Sequence, residues 1–167
     1  DSVALASSIF EAGLIDIDAP EKLERFFLEQ LRVIPQIDGM YYGDQIGNFV
    51  FCKRDPDAPD GGFLTKIIRT SEEGEERVTL IKRTRYLVET SRVRDPDDAY
   101  DPRARPWFVR AVNRDGEVWT QPYIFYTSRR PGLTVASGVW KPGDTTIGVV
   151  GADIELSALS EFLKTQR

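Results

Sequence analysis

The chain has 167 residues, a net charge of -5, one cysteine and no histidine. Its apolar share of 41% and charged share of 29% exclude a disordered or fibrous chain, and its length suits one packed core. Mild acidity with scattered basic residues argues against nucleic acid or an anionic membrane surface as partner, while the missing histidine removes the commonest general base, zinc ligand and triad member.

Val3, Ala6, Ile9, Phe10 and Leu14 recur at helical spacing, which predicts an amphipathic helix over Ser2 to Leu14. No cap precedes it, so the sequence is expected to be an excised segment whose first helix continues upstream. Asp18 and Pro20 start a second helix, which gathers Leu23, Phe26, Phe27, Leu31 and Ile34 on one face and closes at Pro35. From Gly39 the period changes. Met40 to Tyr42 and Phe49 to Cys52, joined through Gly43, Asp44 and Gly47, predict a hairpin in which Cys52 is a small core residue. A lone cysteine forms no internal disulfide and does not report the compartment.

Asp55 to Gly62 carries three aspartates, but Pro59 and Asp60 break the alternating oxygen pattern of an EF-hand, so a solvated turn is expected rather than a calcium site. A charged turn over Glu72 to Arg77 precedes strand-like stretches at Val78 to Lys82 and Tyr86 to Glu89, and an acidic loop follows at Asp95 to Asp98. Pro106 opens a short helix with Trp107, Val109, Ala111 and Val112 available to pack inward. Val118 to Thr127, Leu133 to Lys141 and Ile147 to Ile154 then read as an antiparallel meander. Leu156, Leu159, Phe162 and Leu163 give a closing amphipathic helix that runs to Arg167. Gly148-Val-Val-Gly lacks the lysine and Ser/Thr of a phosphate loop and reads as strand against a close neighbour. No stretch approaches the ~18 apolar residues of a membrane span. The order implies an α+β domain: a central antiparallel sheet of about five to six strands, flanking helices packed on one face, and the other face free to hold a ligand.

Tyr100-Asp-Pro-Arg-Ala-Arg105-Pro-Trp107-Phe108 sets a tyrosine, an arginine and a tryptophan into one turn that leads to a helix. Arginine suits a planar carboxylate or phosphate held by two parallel hydrogen bonds. Aromatic rings beside such a cation, with a distant aspartate still to be placed, suit a small zwitterion such as an amino acid. The residues leave open whether Arg105 and Asp153 face a ligand or pair with each other as a structural bridge, and strand alternation alone leaves open whether Tyr126 and Ser128 face the pocket.

That segment, followed by Trp119-Thr-Gln-Pro-Tyr123 and by Gly148-Val-Val-Gly-Ala-Asp153-Ile-Glu-Leu, resembles the Cache family of bacterial extracytoplasmic sensor domains. The resemblance implies a PAS-like fold, a long N-terminal helix, a periplasmic location in a membrane-anchored receptor, a homodimer in the intact receptor, and no catalysis or cofactor. It also implies that Arg105 and Trp107 grip a ligand carboxylate, that Tyr100 and Tyr123 shape the pocket, and that Asp153 receives an ammonium. Phe108 stands where the family's amino-acid binders have a tyrosine, and Phe125 where some have a second acid. The ligand class expected from the resemblance therefore spans amino acids, methylated amines and small carboxylates. The run from Trp119 to Ala136 and the ending after Gly151 look most like sensors fused to class III nucleotide cyclases, with histidine kinases, diguanylate cyclases and chemoreceptors as other outputs. As a double Cache protein, the chain would be the membrane-distal module.

Overall fold

Two-residue alternation along the strands divides the apolar side chains between the faces of one antiparallel sheet. The computed structural model describes residues 2–71, 76–143 and 145–165. The strands are β1 (Gly39–Asp44), β2 (Phe49–Arg54), β3 (Phe63–Thr70), β4 (Glu76–Arg83), β5 (Glu89–Arg94), β6 (Glu117–Trp119), β7 (Tyr123–Ile124), β8 (Pro131–Lys141) and β9 (Thr145–Glu155). Among the described residues the order is β5-β4-β3-β2-β1-β9-β8-β6, with β7 also on β8. On β1, Met40 and Tyr42 join the core under the helices while Tyr41 joins the core on the opposite face. Val50 and Cys52 of β2, and Val150 and Ala152 of β9, likewise face the helices, whereas Phe49, Phe51 and Val149 face away.

Helices α1 (Ser2–Glu11) and α2 (Pro20–Val33) cover the first face with Val3, Ala6, Phe10, Leu23, Phe27, Leu28 and Leu31. Pro20 sits where a helix start tolerates its missing N–H. The first helix stops at Glu11, short of the expected Leu14, because Gly13 takes a φ of 69° and turns the chain, leaving Leu14 exposed. Cys52 is fully buried and its thiol is pushed up by desolvation, which makes it a core residue without thiolate chemistry.

Among the described residues the sheet has nine strands rather than the expected five to six. No strand was predicted over Phe63–Thr70, where Lys66 interrupts the apolar pattern; Lys66 is buried there because Asp98 lies 2.6 Å away. Tyr86 to Glu89 is not a strand. Leu87, at a φ of 67°, closes a turn by donating its N–H to Thr84, and β5 begins only at Glu89. The expected Val118 to Thr127 strand breaks into β6 and β7, since Pro122 has no N–H to give to a ladder. Of the charged turn at Glu72 to Arg77, residues 72–75 lie outside the described ones, and β4 starts at Glu76.

The opposite face is closed by the loop after β5, a single 3-10 turn (Pro102–Ala104) and α3 (Pro106–Ala111). Trp107, Phe108 and Ala111 turn inward on α3, while Val109, expected to pack, is 62% exposed. β9 runs directly into α4 (Leu156–Thr165) with no loop between them. Leu159 and Leu163 of that helix stay exposed, so its expected apolar face is left uncovered; the side chain of Phe162 lies outside the described residues, as do residues 166–167.

Candidate functional site

A cavity opens on the face away from α1 and α2. Its wall includes Tyr41, Phe49, Phe51, Tyr100, Arg105, Trp107, Tyr123, Phe125, Tyr126, Ser128 and Asp153. The structure thus brings together six of the seven residues singled out from the sequence. Phe108 is the exception: it packs edge-on against Trp107 at 5.6 Å in the core and does not line the cavity. Tyr126 and Ser128, left open by strand alternation, both line it.

Asp153 forms the polar end. It is 7% exposed, and its Oδ1 accepts from the Tyr41 hydroxyl at 2.6 Å and the Thr134 hydroxyl at 2.7 Å. With the Thr134 proton directed to the acid, Tyr123 donates to Thr134 across 2.7 Å. Two hydroxyls thereby converge on one carboxylate oxygen, and a third stands behind Thr134. Desolvation still dominates and pushes the Asp153 carboxyl up to about 7, against the lowering pull of those hydrogen bonds and of Arg105. Among the described residues, no cation lies within ion-pair distance of it, Arg105 included. Burial likewise pushes the Tyr41 hydroxyl well above its ordinary range, so it remains a donor at any physiological pH.

Arg105 sits at the partly exposed rim. Its guanidinium lies 5.9, 5.7 and 5.9 Å from the ring centres of Tyr100, Tyr123 and Tyr126, and it donates to the Ile124 carbonyl at 3.2 Å. Cation–π contacts of this kind hold the cation in place and leave further N–H groups for an anion. Trp107 is 1% exposed and donates its indole N–H to the Tyr100 hydroxyl at 3.3 Å, so it supports Tyr100 from beneath. Behind that wall, Lys66 pairs with Asp98, both nearly buried, and the Lys66 ammonium lies 5.1 Å from the Tyr100 and Tyr126 ring centres. Asp98 also accepts the Tyr100 N–H at 2.9 Å, which ties the arginine-bearing loop to β3.

The cavity volume is about 30 Å³. At ~10–15 Å³ for each water, it admits two or three waters, so a larger guest requires the wall to open. The partly exposed wall residues are Asp38, Lys53, Arg105, Tyr123, Glu155 and the turn at Tyr126, Thr127 and Ser128. The chemistry on offer is recognition through hydrogen-bonding, ionic and aromatic contacts.

A family model described as "Methyl-accepting chemotaxis protein-like, first PDC sensor domain" matches residues 54–161, well over half of the chain. The chain belongs to this PDC sensor family. The Cache-type sensor expected from the sequence is thereby borne out, and this PDC domain is a sensor domain, not an enzyme. Its fold matches the ligand-binding domain of the chemoreceptor CtaA from Pseudomonas fluorescens, solved with L-valine, at a TM-score of 0.60 and 21% identity, covering 98% of this chain and 54% of that one. In sequence it is 25% identical over 177 residues to Adenylate cyclase 1 of Rhizobium meliloti, across 99% of this chain and 26% of the cyclase. It is 41% identical over 66 residues to the methyl-accepting chemotaxis protein PscA of Pseudomonas syringae pv. tomato, across 40% of this chain and 10% of PscA. The chain thus spans about a quarter or less of these two curated relatives and about half of the chemoreceptor domain.

Sequence reasoning missed Tyr41, Thr134 and the Lys66–Asp98 pair of this PDC domain. A signal existed for Tyr41: a Cβ on Gly151 would overlap its ring, so the glycine in the Gly148 to Gly151 run marks the close neighbour expected there. Thr134 and Asp98 carry no local signature, since each acquires its partner only through sheet pairing or loop closure.

Proposed function

We propose that this chain is the extracytoplasmic ligand-binding module of a membrane-anchored bacterial receptor, and that its cavity holds a small amino-acid-like zwitterion. In this reading the ligand ammonium meets Asp153, the carboxylate meets Arg105, and Tyr100, Trp107, Tyr123 and Phe125 enclose the carbon frame. One observation carries it: Asp153 is buried with both of its hydrogen bonds on Oδ1 and, among the described residues, with no cation paired to it. A buried carboxylate without a cation is costly, and an ammonium arriving at Oδ2 removes that cost. The same observation weighs against the bridge in which Arg105 and Asp153 satisfy one another. Phe108 lies off the cavity, so its missing hydroxyl does not bear on the ligand, whereas Phe125 makes the wall apolar where a second acid would stand. Amino-acid ligands in the chemoreceptor structures that share the fold point the same way.

Binding signals only if it favours one of two arrangements of the receptor. In a homodimer, the leading helix is the element we assign to that change, with the output, a cyclase, kinase or chemotaxis module, carried elsewhere in the receptor. Crosslinking between cysteines placed on that helix in the intact receptor tests this, since helix spacing unchanged by ligand saturation refutes it.

A thermal-shift screen of the chain against amino acids, methylated amines and small carboxylates tests the ligand reading. A ligand at 100 times its dissociation constant adds ~2.7 kcal/mol of stability. The expected hit is a zwitterion whose shift disappears in Asp153→Asn and Arg105→Ala. Silence across the panel, or a hit indifferent to Asp153, overturns the assignment.

A further inference from the structure

Three strands present one row of residues toward the cavity. Gly39 of β1 pairs directly with Asp153 of β9 on one side and with Lys53 of β2 on the other. Directly opposed residues point to the same face. At about 4.8 Å per strand, the acid and the amine stand roughly 10 Å apart at their Cα atoms. Gly39 leaves the space between them to Phe51, whose ring lies 2.7 Å from where a Cβ on Gly39 would be. The row therefore reads acid, apolar floor, amine, and all three groups line the cavity. Beyond it lies a hollow of about 310 Å³ that shares Asp38, Lys53 and Glu155 as its wall and is also bounded by Arg54, Asp55 and Arg130.

The Lys53 ammonium donates to the Arg54 carbonyl at 2.7 Å, which leaves two of its N–H groups. Among the described residues no carboxylate lies within ion-pair distance of it. Its acidic neighbours are engaged elsewhere. Asp38 accepts the Glu155 N–H at 2.7 Å, Glu155 accepts from Arg130 at 3.4 Å, and Asp55 accepts the Asp57 N–H at 3.1 Å. Arg54 is spent on the carbonyls of Leu31, Ile34 and Ile37. Burial lowers the Lys53 pKa despite Glu155, Asp55 and Asp38 nearby and with Arg130 adding to the lowering, so these acids do not fully compensate its desolvation.

Asp38 and Glu155 line the cavity as well, but they accept from the Glu155 N–H and from Arg130, and neither lies within ion-pair distance of Lys53. Among the described residues Arg105 and Lys53 are the cations of the cavity wall without a carboxylate in ion-pair distance, so a guest with one carboxylate can reach only one of them, while a guest with a second anion reaches both. We propose that the ligand is an amino acid with an anionic side chain, and that Lys53 is the residue that selects it. This rests on the zwitterion reading above, with Asp153 taking the ammonium and Arg105 the α-carboxylate.

The test is calorimetric titration of the chain with L-aspartate and L-glutamate and with their neutral amides, L-asparagine and L-glutamine. At least one acid is expected to bind 10-fold or more tightly than its own amide. Lys53→Gln abolishes that ratio while amide affinity stays within about threefold, and Lys53→Arg, which keeps the charge, preserves the preference. Unchanged thermal unfolding of both variants shows that the fold is intact. Amides that bind as tightly as the acids, or a preference that survives Lys53→Gln, overturn the inference. If none of the four binds but another zwitterion does, and loses its binding in Asp153→Asn, the inference falls and the broader reading stands. If no zwitterion binds, both fall.

Discussion

Asp153→Asn is expected to make the ligand-free chain more stable, even though it removes the group assigned to ligand recognition. Burial raises the Asp153 carboxyl from 3.8 to about 7. A raised acid in the folded state keeps its proton between pH ~4 and ~7 while the unfolded chain has lost it, so stability declines with rising pH across that window. At ~1.36 kcal/mol per pH unit, the full cost above pH 7 is roughly 4 kcal/mol. Asparagine offers the same acceptor oxygen to Tyr41 and Thr134 without that cost. For a chain of this size 1 kcal/mol moves the melting temperature by about 2–4 °C. The variant should therefore melt several degrees above wild type at pH 8 and close to it at pH 4. Thermal unfolding of both proteins at half-unit steps from pH 4 to 8, without ligand, measures the divergence. Parallel curves, or a variant weaker at pH 8 than at pH 4 relative to wild type, would refute the idea that Asp153 is held at a cost for its ligand.

Other consequences are open to measurement. If an ammonium pairs with Asp153, binding lowers its pKa and releases a proton, so affinity should climb from pH 5 to about 7 and then level; titrations at pH 6.5 in buffers of different ionisation enthalpy should show the release, and a buffer-independent heat contradicts it. Lys66→Met leaves Asp98 buried without its cation and should cost about 3–5 kcal/mol in urea unfolding, whereas Lys66→Met with Asp98→Leu should recover most of that loss; equal losses in both proteins would disprove the pairing argument. Gly132→Ala places a methyl group into the Phe125 ring and 2.7 Å from the Ile154 carbonyl, which predicts ~1–3 kcal/mol of destabilisation together with weaker binding, while unchanged binding would detach Phe125 from the cavity wall.

The helices, the first hairpin and the long strands of the meander were legible because each carries its own period or punctuation: Pro20 opens α2, Gly47 turns the hairpin, and alternation marks β8 and β9. What escaped was whatever depends on a distant partner. β3 does not look like a buried strand because Lys66 sits in its middle, and only the carboxylate of Asp98 makes that burial tolerable. Val109, expected to pack, faces solvent and Phe108, expected at the ligand, packs in the core, because a helix of six residues has too few turns for its inner face to be read by period. Six of the cavity residues, Tyr100, Arg105, Trp107, Tyr123, Phe125 and Asp153, were readable through the Tyr100 to Phe108 motif and the two segments that follow it. The cavity's hydroxyl chain was not, since Tyr41, Tyr123 and Thr134 meet only when β1, β7, β8 and β9 are laid side by side.

Alternation along the three central strands also divides labour by parity. On β1, β2 and β9 the even positions Met40, Tyr42, Val50, Cys52, Val150 and Ala152 anchor the helical layer, and the odd positions Gly39, Tyr41, Phe51, Lys53 and Asp153 face the cavity. Substitutions in the odd set can alter what is recognised while the scaffold beneath keeps its contacts. A lineage carrying this sheet can thus change its chemical vocabulary one odd residue at a time, with the even residues preserving the sensor domain that reads it.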